Sequence, residues 1–376
     1  GETPLKIYID IMTIYVIIFF FALLMSRKNN EKGVVILALF MLIILACRGE
    51  SVGIDTINYY YNKFSSIWVD EDRSYEWLFI GVCDFIREIQ LNPRCCIYFL
   101  SIVTISFLYA AARRFSVKVS LALFFYVLLG YYTLAFNIAR QMAACSIMLY
   151  AFSYFVFVEK KNIGVCEGKQ LRQKGNLLLF IFYTIIAGAI HISSLLFSLI
   201  YFLKYIKFEI KKIHPIFFII VLVAFFAAVQ VLRDSLLANS MSLFSSIMIY
   251  DALGVETESS TLSFGGFLYR SIAYVIAGLV YAQIRKKIDN RLLMLFIVSL
   301  LVRILLSAFY GNIYRLGLYL SLIDVIIYAK CFASFNSHTK ILFWTVVIYF
   351  SYGYFATHAN NMFETIPYRF EMFELF

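Results

Sequence analysis

The chain has 376 residues, of which 62% are hydrophobic and only 15% charged, and its mean hydropathy is +0.82. A water-soluble domain of that length has nowhere to bury so much apolar surface, so a soluble globular protein is excluded and a multi-pass helical membrane protein is expected. The net charge of +10 would point to nucleic acid in a soluble protein, but basic membrane-flanking loops account for it, and no nucleic-acid partner is expected.

Apolar runs separated by charged breaks predict about twelve crossings in a single domain spanning 1–376. They fall at roughly 5–26, 33–47, 94–113, 118–136, 138–158, 176–190, 192–206, 213–232, 264–284, 292–310, 316–331 and 341–357. The first is long enough to span, so it reads as an anchor and not as a cleavable signal, and the start at Gly1 without Met reads as a processed end. The sixth and seventh are short and fit either two crossings or one broken, re-entrant pair; the strongly basic loops on both flanks favour two crossings.

Loops at 27–32, 113–118, 160–174, 204–212 and 285–291, with Lys330 and Lys340, carry 21 of the 33 basic residues. They are expected on the cytoplasmic side, which leaves both termini and the segments at about 48–93, 233–263 and 358–376 external. Within 48–93, stretches 55–64 and 75–89 are amphipathic and predict short helices on the membrane surface. The basic residues are sorted by type as well. The cytoplasmic set holds 15 Lys and six Arg, the outer set two Lys and ten Arg. Topology needs only positive charge, whereas arginine suits two-pronged phosphate recognition in partly dry sites. Pairing with outer acids such as Asp70, Glu71 and Asp72 accounts for Arg73, Arg87 and Arg94. It fits Arg48, Arg140, Arg270, Arg303 and Arg315 less well, because these abut or interrupt apolar runs.

The stretch Asn137-Ile138-Ala139-Arg140-Gln141 lies between two apolar runs. With Asn137 as N-cap, Arg140 stands in the first turn of a helix, beside uncapped amides and the positive dipole end, a combination that binds anions. A snorkelling arginine that anchors the helix end is the plainer alternative. His191-Ile192-Ser193-Ser194, 263–270 with Arg270, and Gly311-Asn312-Ile313-Tyr314-Arg315 begin other helices at the same predicted face, and Arg48 through Asp55 ends one there. Convergence of these ends would make an outward cavity with several arginines, one histidine and one carboxylate, suited to a lipid-borne diphosphate. His191, with a reference pKa near neutrality, can take a proton from an attacking hydroxyl, and Asp55 is the second candidate base. Helix packing of His191 and an Arg48–Asp55 salt bridge are the alternatives. Tyr59-Tyr60-Tyr61 and Trp68 are candidates for stacking on sugars or for an aromatic belt. The seven cysteines show no zinc spacing, the odd count argues against a disulfide framework, and no metal or cofactor motif is present.

Arg48-x-x-x-Val52-Gly53-x-Asp55-Thr56-x-x-Tyr59 resembles the R-x-x-x-V-G-x-D-T-x-x-Y segment of EpsG-type Wzy polysaccharide polymerases. Asn137-x-x-Arg140-Gln141, with Ala143 and Ser146, is similar to their N-x-x-R-Q-x-x-A helix start, His191-x-Ser193 to their H-x-S element, and Pro367-Tyr368 to their terminal P-Y. The resemblance spans most of the chain in order. It implies an all-α, polytopic, GT-C-like bacterial inner- or plasma-membrane glycosyltransferase, which moves a growing glycan from undecaprenyl diphosphate onto the next lipid-linked repeat unit. Implied partners are the undecaprenyl-diphosphate-linked oligosaccharide donor and acceptor and the lipid bilayer, with a chain-length regulator optional.

The residues inferred to act are as follows. Arg140, Arg315 and Arg48 bind the diphosphate, and Arg270 and Arg303 support or extend that site. Gln141, Asn137 and Asn312 orient sugar or phosphate oxygens, and His191, then Asp55, serves as base in a metal-independent site. Three rivals remain. A lipid-linked oligosaccharide flippase or other transporter would draw on Asp324 at mid-span, whose plainer reading is pairing with a neighbouring tyrosine. A glycan ligase would look the same in sequence. A membrane acyltransferase using His191 would want its site on the opposite side.

Overall fold

The computed structural model describes residues 7–8, 13–27, 31–53, 56, 75–156, 162–166, 169–173, 176–206, 209–233, 264–309, 315–333, 337–360 and 369–370. In chain order the elements are β1 (Ile7–Tyr8), α1 (Thr13–Arg27), α2 (Glu31–Ala46), α3 (Trp77–Glu88), α4 (Cys95–Arg114), α5 (Val119–Leu128), α6 (Tyr131–Leu134) and α7 (Ala139–Val156). Then follow β2 (Asn162–Cys166), β3 (Lys169–Gln173), α8 (Leu177–Ile190), a 3₁₀ helix (Ile192–Tyr205), a short 3₁₀ turn (Ile210–Lys212) and α9 (Pro215–Val231). The chain closes with α10 (Phe264–Ile284), α11 (Asn290–Leu306), α12 (Leu318–Ser321), α13 (Ile323–Cys331), α14 (Ser337–Ala359) and β4 (Arg369–Phe370). The fold is thus helical, with two antiparallel ribbons. One joins β1 to β4 near the two ends of the chain, and the other is the β2–β3 hairpin inside the basic loop at 160–174.

α5 and α7 form the centre. All ten residues of α5 are buried, and in α7 only Arg140 and Tyr150 are not. Such helices are apolar around their whole circumference, as expected for elements enclosed by other helices. Ala139, Ala143, Ala144, Cys145 and Ser146 keep one stretch of α7 narrow, so α4 and α8 pack closely on it. The outer helices are apolar on the outside too: Phe20, Leu24, Ile36, Leu178, Ile216 and Ile341 are all more than half exposed. A protein surrounded by water does not present apolar area on this scale; lipid is the solvent that fits it.

Each predicted apolar run is found as a helix or a pair of helices, but they are unequal as spans. Cys95–Arg114 and Gly265–Ile284 are long and apolar enough to cross a membrane alone, while five further apolar helices are shorter. Among the described residues the bundle thus holds two full-length spans together with shorter and broken elements. The fourth run breaks at Gly130, whose φ of +82° needs a residue without Cβ, and continues as α6. The sixth and seventh runs form a hairpin. α8 ends at His191, whose backbone is extended (φ −154°, ψ 108°), and the returning 3₁₀ helix packs on α8 at Gly188, where a Cβ would lie 2.5 Å from Leu195. Fourteen residues of α-helix rise about 21 Å and fourteen of 3₁₀ helix about 28 Å, and the two arms meet with His191 at the tip.

The segment after α2 is fixed to the start of α7. Arg48 is fully buried; its Nη1 donates to Leu45 O at 3.0 Å and its Nε to Thr56 Oγ1 at 3.2 Å. Leu45 O is one of the carbonyls left open at the C-terminus of α2, where a cation also meets the negative dipole end. Thr56 Oγ1 in turn lies 2.5 Å from Val52 O and 3.3 Å from Phe136 O. Gly53 has φ +92°, and a Cβ there would lie 2.7 Å from Phe136 O and 3.1 Å from Asn137 Oδ1. Val52, Gly53 and Thr56 thus meet Phe136 and Asn137 in one backbone knot. Gly53→Ala adds a left-handed residue, costing about 1–2 kcal/mol, and a clash with backbone. It is expected to lower the melting temperature in detergent, and an unchanged melting curve would mean that this loop conformation is not held.

Candidate functional site

The polar cluster is assembled by three elements at one end of the bundle. Glu76 precedes α3 in extended conformation (φ −66°, ψ 139°), which sends its side chain back along the helix start. Its Oε2 accepts from Arg140 Nη1 at 2.5 Å, and its Oε1 accepts from the Ile192 N–H at 2.9 Å. Arg140 is the second residue of α7 and Ile192 the first of the 3₁₀ helix, so one carboxylate joins two helix N-termini. Tyr75 and Phe79, one helical turn apart, place their rings 4.8 and 4.9 Å from the Arg140 guanidinium. Both charged side chains are 12% exposed.

His191 follows directly. Its Nδ1 lies 2.8 Å from Ser193 Oγ and 3.2 Å from Tyr319 Oη, and those hydroxyls are 2.9 Å apart. Tyr319 is fully buried on α12 and stacks on Phe197 at 4.9 Å. The ring is thus held by two hydroxyls, each able to give or accept a proton. Gln141 Nε2 donates to Arg315 O at 2.8 Å, which fixes the backbone entering α12, while the Arg315 side chain is exposed. Chemically the cluster offers cationic and N–H donors, an imidazole and two hydroxyls within one small volume.

The sequence-derived set is therefore partly united. Arg140, Gln141, His191 and the backbone of Arg315 come together. Asn137 is buried beside Gly53 and orients the turn into α7. It lies two residues before the first helical residue, outside the N-cap position expected for it. Arg48 is enclosed by protein, so its expected place in the diphosphate grip becomes one of positioning. Arg270 and Arg303 line a separate cavity, where Arg303 Nη1 pairs with Asp324 Oδ2 at 2.8 Å. The partner of Asp324 is thus an arginine, not the tyrosine expected. Asp55, Asn312, Tyr59-Tyr60-Tyr61, Trp68 and residues 366–368 lie outside the described residues. Among the described residues no group of three or more His, Cys, Asp or Glu has the arrangement of a metal site.

Glu76 and Tyr319 escaped the sequence reading. Glu76 had a signal, because it stands with Tyr75 and Phe79 at the head of the amphipathic stretch 75–89. Tyr319 had none among 28 tyrosines.

A lipid-facing helical bundle with this polar cluster at one end is an integral membrane protein. The chain matches the EpsG family over residues 31–166 and 169–370, and it belongs to that family, which is associated with polysaccharide polymerisation at membranes. No curated protein and no solved structure matches the chain.

Removing either partner of a largely buried ion pair strands the other, at about 3 kcal/mol. Glu76→Ala and Arg140→Ala are each expected to destabilise by that order, and the double variant by clearly less than their sum. Denaturation of the four proteins in one detergent checks it; strict additivity would dissolve the pair.

Proposed function

We propose that the protein is a membrane glycosyltransferase of the polysaccharide-polymerase type. It transfers a glycan from undecaprenyl diphosphate onto the next lipid-linked repeat unit at the outer face, without a metal ion. The single observation that carries this reading is the convergence of Arg140 Nη1 and the Ile192 N–H on one set of anionic oxygens, with His191 adjacent. Those oxygens belong to Glu76. A phosphate oxygen has the same acceptor chemistry and the same preference for a guanidinium at a helix N-terminus.

In this mechanism the acceptor hydroxyl attacks the anomeric carbon of the donor glycan, and the bond from that carbon to the diphosphate oxygen breaks. His191 takes the hydroxyl proton, with Ser193 and Tyr319 orienting its ring. Arg140 meets the charge that develops on the leaving diphosphate, joined by the exposed Arg315, while Glu76 turns to other donors. Arg48, Gly53 and Asn137 hold the turn that aims Arg140. The outer location is supported by the clustering of lysine in the loops at the opposite helix ends. The transport alternative drew on Asp324, but a carboxylate balanced by Arg303 at 2.8 Å supplies no unpaired charge for a transport path.

Four outcomes are expected with purified protein, lipid-diphosphate repeat units and a gel that resolves chain length. His191→Ala slows chain growth by about 10²- to 10⁴-fold, as loss of a general base does; a wild-type rate would make the histidine structural. Arg140→Lys keeps the charge but loses the planar geometry and is at least about tenfold impaired. Arg87→Lys, whose partner Asp84 lies at 3.4 Å one turn away on α3, is near neutral. Activity persists in chelator; loss restored by magnesium or manganese would replace this mechanism with a metal-dependent one.

A further inference from the structure

A cavity of about 190 Å³ lies between α10, α11, α13, α14 and the turn joining α5 to α6. Five tyrosines line it together with Arg270, Arg303 and Asp324. Tyr269 and Tyr349 stack at 4.7 Å with an interplanar angle of 18°, and the Tyr349 hydroxyl donates to the Tyr269 carbonyl. Gly353 makes room for this wall, since a Cβ there would lie 2.3 Å from Tyr269 Oη. The bundle has thus spent a glycine and a ring stack on holding flat aromatic faces in place.

The polar side of the cavity is made by Arg270, Ser307 and the Arg303–Asp324 pair. Asp324 is 3% exposed, and the pair uses Arg303 Nη1 and Asp324 Oδ2. Asp324 Oδ1 and Arg303 Nε are buried and have no hydrogen-bond partner among the described residues. Buried polar atoms are nearly always satisfied, and here both residues line the cavity while keeping hydrogen-bonding capacity that the described residues do not use. A phosphate is acceptor-only and leaves the Asp324 oxygen without a donor, and a polyprenyl chain satisfies neither atom. A hydroxyl donates and accepts at once. Neighbouring hydroxyls on a ring that also has an apolar face to lay on tyrosine fit both walls.

We infer that this cavity is a sugar subsite: it binds a neutral pyranose unit of the lipid-linked glycan through the Arg303–Asp324 pair and the tyrosine faces. The inference rests on the glycosyltransferase reading for its ligand and adds the place where glycan, as opposed to diphosphate, is held. The subsite shares a helical segment with the cluster around Arg140. Tyr319 touches Ser193 and His191, while Asp324 and Tyr328, further along the same segment, line the cavity. Tyr131 links the two, lining the cavity and donating its hydroxyl to Ser321 O at 2.7 Å.

The test uses the full chain in lipid nanodiscs and the oligosaccharide released by mild acid from the producing strain's lipid-linked repeat unit, which lacks the diphosphate. Calorimetric titration should give saturable binding to the wild type. Asp324→Asn should weaken it roughly tenfold or more, and Tyr328→Phe, which keeps the ion pair intact, roughly two- to tenfold. No saturable binding to the wild type overturns the subsite. So does equal affinity in both variants, or in Tyr328→Phe alone when Asp324→Asn fails to fold. A wild type that binds the oligosaccharide in this way but forms no polymer leaves the subsite standing and sinks the polymerase reading instead.

Discussion

One carboxylate holds the functional end of the bundle together. Glu76 reaches Arg140 on α7 and the first N–H of the 3₁₀ helix with its two oxygens, and it brings Tyr75 and Phe79 over the guanidinium. Three elements that are far apart in sequence are fixed by atoms on a single side chain. The same contact settles how an arginine survives at the edge of an apolar helix: its charge is balanced, its planar faces lie against rings, and little of it meets lipid.

The other embedded charges follow the same economy with different partners. Arg48 is spent on an open carbonyl of α2 and on Thr56. Arg94 lies 3.6 Å from Glu50, and Arg303 lies 2.8 Å from Asp324. Lysine would serve the place of Arg48 less well, since Nη1 and Nε of one rigid fork bind two different oxygens there. The preference for arginine at this end of the helices therefore has two physical causes. Arg48 binds backbone and hydroxyl oxygens that close a loop, and Arg94, Arg140 and Arg303 each neutralise a carboxylate within the bundle.

Helix placement was legible in the sequence because apolar length and charged breaks dictate it. The run at 264–284 reappears as α10 with the same limits, and 138–158 as α7 within two residues. Helix continuity was less legible. Gly130 could have signalled the break between α5 and α6, but nothing in 192–206 distinguishes a 3₁₀ helix from an α-helix, because both bury apolar residues at nearly the same spacing. Of the site, the arginine, glutamine and histidine could be found from their cost in an apolar run. Arg48 shows the limit of that logic: expense marks a residue as purposeful without saying whether the purpose is a ligand or a fold. Glu76 and Tyr319 were hidden because carboxylates on amphipathic helices and tyrosines in membrane helices are common, and only three-dimensional pairing sets these two apart.

The segment from Arg315 to Cys331 is where these strands of argument join. Its backbone is pinned at the start by Gln141, its Tyr319 faces the imidazole, its Ser321 carbonyl receives Tyr131, and its Asp324 holds Arg303. The helix is broken into α12 and α13 between Ser321 and Ile323, so the residues facing the imidazole and those facing the cavity sit on separate short helices. Leu322 between them keeps near-helical angles (φ −62°, ψ −18°), and on its two sides Tyr319 meets the hairpin tip at His191 and Asp324 meets Arg303 of α11. Two sets of buried polar contacts within one apolar bundle are thus carried by one stretch of chain, Tyr319 in the first and Asp324 in the second.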